Sequence, residues 1–106
     1  GNYLEATCSA MFSYALLKGI RKGYLDPSLK DYARKTYGNF VDYFIYKDDN
    51  GLVSIKDCCE VAGLGGKENR SGDYEYYINE RRRSNDPKGI GPYIMASLEF
   101  DRLFNE

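Results

Sequence analysis

Apolar positions recur at helical spacing in three stretches of the chain. In the first, expected from Leu4 to about Lys22, Leu4, Cys8, Met11, Ala15 and Ile20 lie near one stripe, which Phe12, Leu16 and Leu17 widen. A face this broad predicts neighbours on more than one side. Gly23 stands where a C-terminal cap belongs, with Leu25 beyond it. Asp26-Pro27 then opens a second helix, the aspartate as N-cap and the proline in the first turn. Leu29, Ala33, Thr36, Tyr37, Phe40, Val41, Phe44 and Ile45 mark its buried face, with Tyr32 beside them; Lys30, Asp31, Arg34, Lys35 and Asp42 mark the solvent side. The short link predicts an antiparallel helical hairpin. Lys47 to Gly51 reads as a polar turn, and Leu52 to Ile55 as a short strand. The stretch from there to Ile90 is irregular, punctuated by Gly63, Gly65, Gly66 and Gly72 and by the tyrosine-rich run Asp73 to Tyr77. So long a loop with so many aromatics predicts a functional segment, ordered through the hydroxyls and rings of Tyr74, Tyr76 and Tyr77. Pro92 is the expected start of a third helix, with Tyr93, Ala96, Phe100, Leu103 and Phe104 on one face.

Composition narrows the function classes. The chain has 106 residues, room for a single domain. Fifteen basic against sixteen acidic residues give a net charge of -1, which argues against a nucleic-acid partner. No apolar run is long enough to span a bilayer, so no membrane role is expected. The first residue is Gly1 rather than methionine, which predicts a start inside a longer gene product.

Three cysteines, Cys8, Cys58 and Cys59, accompany no histidine. An odd count with two adjacent thiols is a poor disulfide framework, and the spacing of a zinc site is missing. All three thiols are expected to be buried, reduced and structural. Without histidine, the Ser-His and Cys-His nucleophile arrangements are out of reach. Asp48-Asp49-Asn50-Gly51 touches the calcium-loop pattern, but Tyr46 would occupy the first ligand position and Asp57 the last, so a turn explains it better. The glycines of Ala62 to Lys67 meet neither phosphate-loop spacing and predict a tight bend. Arg81-Arg82-Arg83 reads as a solvated loop, with grip on an anionic sugar as the sharper alternative. Asn69-Arg70-Ser71 fits the glycosylation acceptor pattern. Carboxylates suited to glycoside hydrolysis are plentiful, but spacing alone brings no two of them to one bond.

Three ordered stretches carry a resemblance. Glu5 to Phe12 (EATCSAMF) leads into Tyr14-Ala15-Leu16 and Gly19-Ile20; Cys59 to Gly66 (CEVAGLGG) leads to Gly72-Asp73-Tyr74-Glu75-Tyr76-Tyr77; and Asn85 to Pro92 (NDPKGIGP) follows. Together they resemble the C-terminal part of glycoside hydrolase families 88 and 105, the unsaturated glucuronyl and rhamnogalacturonyl hydrolases of bacterial polysaccharide degradation. The resemblance implies an all-α fold, a helical hairpin plus a third helix and a long Gly/Tyr-rich loop forming the last part of an (α/α)6 barrel. It implies oligosaccharides ending in an unsaturated uronic acid as substrate, hydration of the C4–C5 double bond by an acid/base aspartate, and no metal or other cofactor. The family's catalytic aspartates and histidine lie upstream of the matched region, so this chain alone is expected to be inactive, with no catalytic residue of its own. Its implied substrate-binding residues are Glu5, Thr7, Ser9, Tyr76 and Lys88, with the first helix's free N–H groups favouring a carboxylate. A stand-alone helical module that binds carbohydrate or protein remains the other reading. Apolar residues on several sides of the first and third helices further predict a homo-oligomer.

Overall fold

The computed structural model describes residues 1–106. Its elements are α1 (Ala6–Arg21), a 3₁₀ turn at Pro27–Leu29, α2 (Lys30–Phe44), β1 (Ile45–Lys47), β2 (Val53–Ile55), β3 (Cys58–Cys59), α3 (Tyr74–Asn79), β4 (Arg82–Arg83) and α4 (Pro87–Phe104). α1 and α2 form the expected hairpin. Gly23 closes α1 at φ +75°, its N–H reaching the Ile20 carbonyl, while Tyr24 and Leu25 return to Gly19. α2 buries Ala33, Phe40 and Phe44, with Val41 and Tyr37 partly covered, as its periodicity requires. Tyr32 is a correction: one residue, about 100°, from Ala33, it swings to the solvent side.

α1 turns a different face inward from the one expected. Its buried residues are Ala6, Ala10, Ser13, Leu17, Gly19 and Ile20, whereas Leu4, Cys8, Met11 and Ala15 are exposed. Two apolar arcs exist on this helix, and the one with smaller side chains meets the rest of the chain. The reason lies in α4, whose packing face is Gly89, Pro92, Ala96 and Glu99. Small residues on both helices let the backbones approach closely. A Cβ on Gly89 would stand 2.7 Å from the Cys58 sulfur and 3.4 Å from a Thr7 methyl. Thr7 beside Gly89 at one end, and Arg21 paired with Glu99 further along, make α1 and α4 parallel. Glu99 is buried, and the Arg21 guanidinium holds its carboxyl below the usual carboxylate range. Cys8 therefore departs from the expectation that all three thiols are buried; only Cys58 and Cys59 are.

The third long helix begins at Pro87, five residues before the expected start. Asp86 caps it, and Pro92 lies buried inside it, where it deprives the Lys88 carbonyl of an N–H partner. β1 and β2 pair antiparallel around Asp48, whose carboxylate accepts from the amides of Asn50 and Leu52. That is the turn rather than a cation loop. The second pairing, Cys58 with Arg83 and Cys59 with Arg82, was not anticipated. The core has two parts, one around Ala6, Ala10, Phe40, Phe44, Ile55 and Cys58, the other around Leu17, Ile20, Ala33 and Ala96.

Candidate functional site

The parallel arrangement brings the N-termini of α1 and α4 to one end of the molecule, with β3 between them. Each is capped by a buried acid. Glu5, 6 % exposed, accepts from the Thr7 and Cys8 amides at 3.0 and 2.8 Å, from the Thr7 hydroxyl at 2.7 Å, and from the Cys59 amide at 2.8 Å. Burial raises the Glu5 pKa, but these donors outweigh it and hold the carboxyl below its ordinary value. Ser9 donates to the Glu5 carbonyl at 2.6 Å. The structure thus brings Glu5, Thr7 and Ser9 into one unit. It also corrects one expectation: the free N–H groups meant for a ligand's carboxylate are taken by the chain's own.

Asp86 mirrors this at α4. Its carboxylate accepts from the Lys88 amide at 2.9 Å, the Lys88 ammonium at 2.7 Å and the Arg83 guanidinium at 2.8 Å. Burial pushes its pKa up, yet these cationic and amide donors bring it down to about 2. Lys88, half exposed, reaches the Glu60 carbonyl as well, at 3.1 Å, and so ties α4 to the long segment after β3. The three arginines are all matched by acids: Arg81 with Glu60, Arg82 with Asp57, Arg83 with Asp86 and Glu60. Asp86 is the functional residue not among those expected, although Asp86-Pro87 carries the same start signal as Asp26-Pro27.

Between β3 and β4 the chain makes a tight bend at Gly65 and Gly66, both at positive φ, closed by the Gly65–Arg70 bridge. Asn69 of the acceptor pattern sits in that bend at φ +55°. α3 follows, capped by Asp73. The Tyr76 hydroxyl donates to the Val61 carbonyl at 2.8 Å, which stitches the two sides of the segment together. Tyr77 stacks on Tyr3 with centroids 5.2 Å apart, and the Arg82 guanidinium lies over the Tyr3 ring, 4.7 Å from its centroid. Burial pushes the Tyr3 hydroxyl far above its ordinary pKa. Tyr74 is the exception to the expected ordering, since its ring remains exposed. No group of three or more thiol and carboxylate ligands gathers anywhere in the fold.

This helical unit, with two capped N-termini under one elaborate segment, matches a known family along almost its whole length. Residues 1–104 fit the model of Glycosyl Hydrolase Family 88, and the chain belongs to that family. It is 37% identical over 105 residues to the 24.9 kDa protein in the picA locus of Rhizobium radiobacter, covering 93% of this chain and 45% of that one. The chain thus spans less than half the length of that curated relative. Among solved structures it resembles a family 105 glycoside hydrolase of C. acetobutylicum, with TM-score 0.90 and 50% identity, over 95% of this chain and 28% of that one. A possible family 105 member from Klebsiella pneumoniae matches at TM-score 0.73 and 25% identity, over 95% and 23%. The all-α architecture is therefore one portion of a larger helical glycoside-hydrolase fold.

Proposed function

We propose that this chain is the C-terminal part of a hydrolase for oligosaccharides ending in an unsaturated uronic acid, and that it supplies walls of the sugar site rather than the catalytic acid. The family match over residues 1–104 carries this reading. In the whole enzyme an aspartate outside this chain hydrates the C4–C5 double bond, and the product rearranges to release the sugar. Within this chain Glu5 fixes the start of α1 and with it the hydroxyls of Thr7 and Ser9. Tyr76 fastens the overlying segment, and Lys88 provides a half-exposed ammonium for the uronate. These five residues form the wall.

The test uses unsaturated galacturonyl-rhamnose, whose enol-ether absorbance reports its consumption. The chain alone leaves that absorbance unchanged. A chimera in which it replaces the matched portion of the C. acetobutylicum enzyme consumes the sugar. In that chimera Lys88→Ala raises KM about 10-fold with kcat within about 2-fold, the loss of one charge-assisted contact made equally in ground and transition states. Turnover by the isolated chain, or a folded chimera without activity, overturns the reading.

A further inference from the structure

The segment that covers the start of α1 has few ties to the helices beneath it. α3 is six residues long and buries none of them. Its side-chain hydrogen bonds stay within its own segment: Tyr76 to Val61, Asn79 to Glu75, and the Asp73 cap. A helix this short does not persist on its own in water, so a tertiary contact must hold it. That contact is the Tyr77 ring stacked on Tyr3, with 5.2 Å between centroids and 15° between planes.

Tyr3 is fixed from the other direction. It stands two residues before the Glu5 cap, and the Arg82 guanidinium lies 4.7 Å from its ring centroid. Arg82 in turn pairs with Asp57 at 3.8 Å. Asp57 occupies the left-handed region at φ +59°, and its carbonyl accepts from the Ala6 amide at 3.0 Å, the first residue of α1. Contacts therefore run without a break from α3 through Tyr77, Tyr3, Arg82 and Asp57 to Ala6. The Tyr3 hydroxyl takes no part in them: it is the one buried side-chain polar atom in the fold without a hydrogen-bond partner. The ring does the holding. We propose that Tyr3 is a positioning residue for the sugar wall, its ring setting α3, and through α3 the Tyr76 side chain and the covering segment, over Thr7 and Ser9. This rests on the functional reading above, which makes those residues a wall. Tyr3 itself touches no sugar and acts through Tyr77.

Two readouts test it, one of them without substrate. The Tyr77 and Glu80 amides, bonded to the Asp73 and Tyr77 carbonyls, report the state of α3. In the isolated chain Tyr3→Ala speeds their hydrogen exchange about 10-fold, while amides inside α2 and α4 keep their rates. Tyr77→Ala does the same, and the double variant adds less than about 2-fold, because both remove one contact. Tyr3→Phe keeps the ring and stays within about 2-fold of the unsubstituted chain. In the chimera with the C. acetobutylicum enzyme, Tyr3→Ala raises KM about 10-fold with kcat within about 2-fold, and Tyr3→Phe leaves both unmoved. Unchanged exchange of α3 in Tyr3→Ala overturns the proposal, as does an equal acceleration throughout the chain, which would make Tyr3 a general support. Impairment of Tyr3→Phe as deep as that of Tyr3→Ala overturns it too, by moving the role to the hydroxyl. So does an active chimera whose KM ignores Tyr3→Ala. A folded chimera that is inactive before any substitution is instead the failure of the functional reading, and the exchange rates still decide whether Tyr3 sets α3.

Discussion

The dipeptide Asp-Pro opens two helical segments of this protein with the same backbone cap, and the two openings differ in burial and in what else the carboxylate holds. Asp26 is exposed and caps a three-residue 3₁₀ turn by accepting from the Ser28 amide at 2.8 Å. Asp86 is 2 % exposed, caps the eighteen-residue α4, and adds the Lys88 ammonium and the Arg83 guanidinium to its backbone donor. The dipeptide itself says where a helix starts: an oxygen for the orphan N–H groups and a ring with the right φ. What surrounds it decides how much depends on it. At Asp86 the cap also anchors β4 and the segment after β3, so a local signal has become a joint between distant parts of the chain.

The sharpest way to break this comparison is to remove both caps. Asp86→Ala should cost about 3 kcal/mol in urea denaturation, the sum of a lost cap and of charged hydrogen bonds whose cations lose their partner. Asp26→Ala should cost less than half as much; equal losses would mean that burial adds nothing. Acid titration sharpens the same point. The Asp86 carboxyl has a folded pKa of about 2, below its ordinary 3.8, so its contribution is fully present above about pH 4 and disappears as pH falls towards 2. Glu5 and Glu99 are lowered as well, so the informative quantity is the wild-type curve minus that of Asp86→Asn, which should fall with pH only in that window and be flat on either side. A smaller effect probes the packing just behind the cap. Gly89→Ala gains about 1 kcal/mol of helix propensity but drives a methyl into the Cys58 sulfur, for a net loss of about 1 kcal/mol. Gly91→Ala, with open space around it, should instead stabilise by a few tenths to about 1 kcal/mol. If both glycines respond alike, the close approach of α4 to β3 is not what holds this end together.

How far the residues alone revealed this arrangement varies by element. α2 was legible because one polar face and one apolar face leave a single way to bury it. α1 was not, because Leu4, Cys8 and Met11 look more like a core than Ala6, Ala10 and Ser13 do. Only the small-residue face of α4 decides between them. The start of α4 is encoded in Asp86-Pro87, but Pro92, about one and a half turns on, carries the same helix-opening residue inside the helix. The β3–β4 pairing was invisible, since two-residue strands are set by contacts across the fold and not by periodicity. Of the candidate site, Glu5, Thr7 and Ser9 do come together. That the Glu5 carboxylate turns inward to the Thr7, Cys8 and Cys59 amides depends on β3 arriving beside α1, which no local pattern encodes.

The parallel contact between α1 and α4 also imposes an order of events on the ribosome. The residues that complete it are far apart along the chain, Arg21 and Glu99 being 78 positions from one another. α1 emerges before α2 and can pair with it early, yet its Ala6–Ala10–Ser13 side lacks its α4 partner until that later helix leaves the exit tunnel. Closing so long a loop is a late and slow step compared with forming the hairpin. α1 is therefore made before α2 but locked in place after it, and a nascent chain stalled between α1 and α4 holds that helix face bare to chaperones and proteases.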